Sequence, residues 1–217
     1  MAGGRVDPDL VASRVAAVRA RISGITDRAV SIVAVTKTFG IDAMEAAWRA
    51  GCDAVGENYA QELLAKAPGV PAGCPVHFIG RIQSNKVRQI APIVALWESV
   101  DRDRVVDEIA RRAPGARVLL QVDTTAEPGK GGCDPGALDG LLARAREAGL
   151  VVEGLMTVGP TGGSRDDCAR AFSLLRRLAD DRGLLECSMG MSEDWETAVA
   201  EGSTEVRLGS ALFGART

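Results

Sequence analysis

The chain has 217 residues, 46% of them hydrophobic, which is enough to bury a sizeable core and fits a single domain. Its 26 basic and 29 acidic residues leave a net charge of −3, without the electrostatic footprint expected of a protein that binds nucleic acid or an anionic membrane. Five cysteines, at 52, 74, 133, 168 and 187, are odd in number and contain no C-x-x-C pair, so neither a zinc site nor a disulfide framework is expected. The opening "MAGGRVDPDL" has no apolar signal region, and no apolar run approaches the length of a membrane span. Together these features predict a soluble protein of a reducing compartment, the cytoplasm.

In chain order, "DPDL" offers an Asp cap and a Pro in the first helical turn, and Val11, Val15, Val18 and Ile22 follow at helical spacing, which predicts a leading amphipathic helix over 7–23. Strand and helix then alternate. Strands are predicted at 31–37, 54–59, 76–80, 95–100, 116–124, 150–158, 185–191 and 204–209. Helices are predicted at 41–51, from Gln61, from Ser84, and at 103–113, 135–149, 164–182 and 194–201. Leu138, Leu141, Leu142 and Ala145 share one helical face, and "SRDD" from Ser164 is a capping-box start. Gly51, Gly149, Gly183 and Gly202 mark junctions where helices stop. Segments 68–75, 127–136 and 159–163, rich in Gly and Pro, read as loops. Eight βα units without a Rossmann glycine fingerprint predict a closed (β/α)8 barrel, a TIM barrel with an extra N-terminal helix.

In such a barrel the C-terminal strand ends carry the chemistry. The unusual residues of this sequence all map there. "SIVAVTK" has no polar alternation, as in a strand covered on both faces, yet it ends on Lys37. That lysine is either a stem lying out to solvent or, sharing the inward face of Val33 and Val35, a working amine. Desolvation lowers the pKa of an inward amine and frees the lone pair that attacks an aldehyde, the chemistry of Schiff-base formation.

"GMSEDW" places Ser192 before a helix, as an ordinary N-cap or as part of an anion site. Gly209 and Ser210, after the last strand, make either a tight turn or a place where bare N–H groups approach a phosphate. Two such loops at consecutive strand ends favour a phosphate cup. Arg207 alternates with Val206 and Leu208 and should face inward, paired with a barrel carboxylate or set against a pyridine nitrogen. Asn58 is a turn former or a partner for a ring hydroxyl. His77, the sole histidine, reads as a satisfied core or rim residue, and Met156, Met189 and Met191 read as packing. "QSNK" predicts a capped helix start at Ser84.

With these residues assembled, the chain resembles the pyridoxal phosphate homeostasis proteins, the YggS/PROSC-type family, which share the barrel of the alanine racemase N-terminal domain. The motifs that carry the resemblance are "VTK", "GENY", "HFIGRIQSNK", "GLMTVG", "SMGMSEDWETAVAEGSTEVRLG" and "ALFG", in order from Val35 to Gly214. The resemblance implies pyridoxal 5′-phosphate (PLP) as cofactor, held as a Schiff base on Lys37, with Arg207 at the pyridine nitrogen. It implies Ser192, Gly209 and Ser210 on the phosphate and Asn58 beside the ring. "EPGKGG" matches a loop in which the family has a lysine followed by glycine, here Lys130 and Gly131; its proline and extra glycine depart from the commonest form, and Lys130 is given no site role.

Two-base racemization needs a group on each side of the α-carbon. The racemases supply the second as a tyrosine from another domain and subunit, whereas the sole tyrosine here, Tyr59, belongs to "GENY". The resemblance therefore implies a monomeric, non-catalytic PLP-binding protein that buffers the aldehyde and could deliver it to PLP-dependent apoenzymes. The alternatives are a weak amino-acid racemase or lyase, and an interaction protein whose cofactor only stabilises the fold.

Overall fold

The structure is a computed structural model that describes residues 6–214. Asp7 caps helix α1 (Pro8–Ser23): its carboxylate accepts hydrogen bonds from the backbone N–H groups of Asp9 and Leu10. Pro8 occupies a first-turn position that needs no N–H, and Val11, Val15, Val18 and Ile22 bury one face, as their spacing predicts.

The chain then alternates β1 (Ser31–Val35), α2 (Ile41–Arg49), β2 (Ala54–Glu57), α3 (Ala60–Lys66), β3 (Val76–Phe78), α4 (Ser84–Ile90), β4 (Leu96–Val100) and α5 (Asp103–Arg112). It continues with β5 (Arg117–Gln121), α6 (Leu138–Glu147), β6 (Val151–Met156), α7 (Arg165–Asp180), β7 (Glu186–Ser188), α8 (Trp195–Ala200), β8 (Glu205–Leu208) and α9 (Ser210–Phe213). The eight strands pair in parallel in sequence order, and β8 returns to β1 to close the barrel. No helix among the described residues is long and apolar enough to cross a membrane.

Register and packing fix which side chains point inward. Ile32, Ala34, Val206 and Leu208 pack with Val11, Val15 and Val18 in the layer between barrel and helices. Their alternates Val33, Val35, Glu205 and Arg207 therefore face the barrel interior. Val33 sits in register with Arg207, and Gly56 with His77. Inside the barrel, Leu96, Leu119 and Met156 form a small apolar cluster with Val158 against it; much of the remaining interior is polar.

Several expectations are corrected. β1 ends at Val35 rather than 37, β2 at Glu57 rather than 59, β5 at Gln121 rather than 124, and β7 at Ser188 rather than 191. The residues beyond these ends turn into rim loops. Lys37 consequently lies in a turn, where strand alternation no longer dictates its direction; it is half-buried. Ser84 is the first residue of α4 and not its cap, which is Gln83 without a side-chain hydrogen bond. Ser192 does not cap α8, which begins after Asp194. Met191 is 39% exposed and so does not pack, whereas Met156 and Met189 are buried. At Gly209–Ser210, where a tight turn is one of two expected alternatives, the chain opens the short helix α9.

The capping box at Ser164 forms as predicted: Asp167 N donates to Ser164 Oγ at 3.2 Å, and Ser164 N donates to Asp167 Oδ2 at 2.9 Å. Gly51 and Gly149 have φ of +87° and +78°, the left-handed backbone that lets α2 and α6 stop before the following strands. All five cysteines are free and buried. Burial pushes the thiols of Cys52 and Cys187 up to about 12 and those of Cys74 and Cys133 up to about 11.

Candidate functional site

The six candidate residues gather at the C-terminal end of the barrel. Lys37 and Asn58 each lie two residues beyond Val35 and Gly56, the last residues in register between β1 and β2. Gly209 follows β8 beside β1; a side chain added there would meet Val35 at 3.7 Å. The backbone N–H groups of Gly209 and Ala211 both donate to Ser192 Oγ, at 3.2 and 3.1 Å. The loops after β7 and β8 thus converge two backbone donors on one small hydroxyl, where an anion's oxygens could be accommodated. Ser210 begins α9 between them, with its side chain exposed.

Asn58 contributes a different signal. Its Oδ1 is buried and has no hydrogen-bond partner among the described residues, which is costly for an amide oxygen unless a ligand hydroxyl satisfies it. Gly80, just after β3, lets Asn58 sit where it does: a Cβ at position 80 would lie 2.0 Å from the Asn58 carbonyl oxygen. The donor cradle and the orphaned acceptor fit a phosphorylated, hydroxyl-bearing ring.

Arg207 lies one layer deeper and is buried. Its Nη1 donates to Ser188 Oγ at 2.5 Å and its Nη2 to the Thr157 carbonyl at 2.6 Å. Ser188 Oγ in turn donates to Glu98 Oε2 at 2.6 Å, and Glu98 Oε1 meets His77 Nδ1 at 2.8 Å. His77 Nδ1 is also 3.4 Å from Glu205 Oε2. The barrel thus contains a chain from guanidinium to hydroxyl to carboxylate to imidazole, with a second acid, Glu205, beside His77.

Glu98 and Glu205 did not figure among the sequence candidates. The available signal was parity: Glu205 shares the inward face of Arg207, and Glu98 is an acid inside the apolar run "LWESV". His77, expected to be a satisfied core residue, is one, through these carboxylates.

Burial alone would push the His77 imidazole down, but hydrogen bonds and charge from Glu205 and Glu98 outweigh it and raise the group to about 10. Burial and the Glu98 charge push Glu205 up to about 7. Glu98 is held below the usual carboxylate range: its complete burial acts upward, but His77, Arg207 and Ser188 prevail.

The folded chain therefore binds a proton at His77 more tightly than the unfolded chain does. That stabilisation is complete below pH 6.5 and is lost as pH rises towards 10. Glu205 acts in the same direction between 4.5 and about 7, because folding favours its neutral form. Glu98 contributes above 4.5 and loses its contribution as pH falls. Thermal melts across pH should show maximal stability in mildly acidic buffer and a decline through pH 9, and His77→Gln should flatten the alkaline limb. A flat profile from pH 6 to 10 in the wild type would contradict this reading.

The family model for the alanine racemase N-terminal domain matches residues 6–217. The pyridoxal phosphate homeostasis protein of Pseudomonas aeruginosa is 39% identical over 221 aligned residues, covering 95% of this chain and 96% of that protein. The protein of the same name from Caenorhabditis elegans is 36% identical, with 85% of each chain covered. Among solved structures, PipY of Synechococcus elongatus with PLP bound superposes with a TM-score of 0.80 at 31% identity, covering 94% of this chain and all of PipY. Alanine racemase from Bacillus anthracis, at 19% identity and a TM-score of 0.74, shares the fold, and the chain spans 57% of its length. A closed eight-stranded barrel, a polar C-terminal rim and relatives matched along almost their whole length lead to one assignment: this chain belongs to the pyridoxal phosphate homeostasis protein family.

Proposed function

We propose that this chain binds PLP at the C-terminal rim as a Schiff base on Lys37 and serves PLP and amino-acid homeostasis without efficient catalysis of its own. The observation that carries the reading is the cradle in which Gly209 N and Ala211 N converge on Ser192 Oγ, on the rim that also bears Lys37 and Asn58. The structure of PipY with PLP bound supports the choice of ligand. When bound, PLP supplies an aldehyde that condenses with a primary amine and releases water.

The rest is done by the protein. Ser192, Gly209 and Ser210 take the phosphate on hydroxyl and backbone donors, and Asn58 meets the ring hydroxyl through Oδ1. Arg207, anchored by Ser188 and Thr157, faces the pyridine nitrogen; a guanidinium does not surrender its proton, so that nitrogen stays neutral and the ring remains a weak electron sink. Tyr59, the sole tyrosine of the sequence, is 54% exposed on the rim, which supports the absence of an efficient second base. The five buried free cysteines suit a reducing cytoplasm. A monomeric single-domain carrier of this kind could release PLP to apoenzymes.

The test is borohydride reduction of the purified protein with PLP, read by mass spectrometry, beside Lys37→Ala. One fixed adduct on Lys37, lost in the variant, is the expected result, with no measurable racemization of L-alanine. An identical adduct in Lys37→Ala would overturn the assignment of the amine. Turnover on the order of 1 s⁻¹ or faster would instead establish the racemase reading.

A further inference from the structure

The turn that carries Lys37 is tied to β2 and α3 on its upstream flank and to α3 on its downstream flank. Upstream, Thr36 Oγ1 donates to Glu57 Oε1 at 2.6 Å, and the Thr36 carbonyl accepts from Lys66 Nζ at 2.8 Å. Lys66 Nζ also meets Glu57 Oε1 at 2.6 Å and Glu62 Oε2 at 3.7 Å. Downstream, Thr38 N donates to Glu62 Oε2 at 2.8 Å. Thr38 has φ of +68°, a left-handed backbone that a β-branched residue rarely adopts.

These contacts lie on the helix side of the barrel and not in its interior. Glu57 is fully buried, and the Lys66 side chain is 10% exposed. A buried ion pair of this sort contributes little net stability, because desolvation offsets the attraction. What it does here is local: Glu57, Glu62 and Lys66 contact Thr36 and Thr38, the two residues on either side of Lys37. A strained backbone held by outside contacts is a form of preorganisation.

We infer that Glu57, Glu62 and Lys66 are positioning residues that hold the Thr36–Thr38 turn so that the Lys37 amine meets the aldehyde of its ligand in attacking geometry. The inference rests on the proposed Schiff base at Lys37. In that step the Nζ lone pair attacks the aldehyde carbon and a C=N bond forms. The aldehyde oxygen leaves as water, taking both protons of the neutral amine. Among the described residues the Glu57, Glu62 and Lys66 side chains make no hydrogen bond to Ser192, Gly209, Ser210 or Asn58, although Glu57 directly precedes Asn58 in the chain. The clamp should therefore govern how fast the covalent bond forms and leave non-covalent binding alone; small misplacements of a reacting group can cost on the order of a hundredfold in rate.

The experiment compares wild type, Lys66→Met, Lys66→Arg and Glu62→Ala. Two ligands separate the effects: PLP, whose adduct is trapped by borohydride over time, and pyridoxine 5′-phosphate, which lacks the aldehyde and reports non-covalent binding. The expected result is an adduct rate at least about tenfold slower in Lys66→Met, substantially restored in Lys66→Arg, with the affinity for pyridoxine 5′-phosphate changed less than about twofold. Glu62→Ala, at a partly exposed position, should slow the adduct in the same manner and serves if Lys66→Met does not fold. Adduct rates equal to wild type, or rates that fall only in step with pyridoxine 5′-phosphate affinity, would overturn the clamp. A wild type that binds both phosphates but forms no adduct on Lys37 would overturn the Schiff-base reading itself, and the clamp with it.

Discussion

Glu98→Ala is expected to destabilise the protein by roughly 3–5 kcal/mol, the range for removing one partner of a buried ionic network. Glu98 is completely buried and accepts from Ser188 Oγ while meeting His77 Nδ1. Its loss leaves His77 with Glu205 alone and leaves Arg207 without its nearest carboxylate, 3.9 Å away. With a urea slope of about 1–3 kcal/mol/M, the midpoint should fall by at least about 1 M. Removing the imidazole as well should recover part of the loss, because the two groups are directly coupled. A single-variant shift below about 0.3 M would show that the cluster carries no such weight.

Gly80→Ala should damage both stability and the site. An added Cβ would stand 2.0 Å from the Asn58 carbonyl oxygen and 2.6 Å from its Cα, so the backbone after β2 and β3 must part. Overpacking of this kind costs about 1–3 kcal/mol or more. Here the displaced residue is Asn58, and PLP affinity should fall with it. Gly154→Ala provides the contrast: its Cβ would lie 2.0 Å from the Glu186 carbonyl oxygen, at the start of β7 and away from the rim. It should lower the denaturation midpoint while sparing affinity per folded molecule. Equal losses of affinity in the two variants would remove any special connection between Gly80 and the ligand.

The barrel was legible because its strands are short apolar runs and its helices carry period-3.6 faces. α1 and α7 show this best, since Asp7 and Ser164 cap them as their sequences suggest. Strand ends were less legible. Nothing in "AVTK" reveals that the ladder stops at Val35, because pairing depends on strands distant in the sequence. The serines misled for a related reason: a serine before a helical run scores as a cap, but Ser192 Oγ is engaged by N–H groups from the loop after β8, 17 and 19 residues onward. Arg207 was placed inward correctly by alternation. Its support from Glu98, 109 positions away in the chain, follows only from barrel closure.

The burial of the cysteines bears on chemoselectivity. Aldehydes add to thiolates as well as to amines, and a protein that handles one exposes its own nucleophiles to it. Here Cys52 and Cys187 remain protonated up to about pH 12 and are shielded by packing, which removes them as competitors near neutrality. Amines are scarce too: the sequence has four lysines among its 26 basic residues, and Lys66 and Lys130 are engaged by Glu57 and Glu127. Guanidinium groups, which carry the rest of the positive charge, condense poorly with aldehydes. The molecule thus offers a reactive carbonyl few places to go astray.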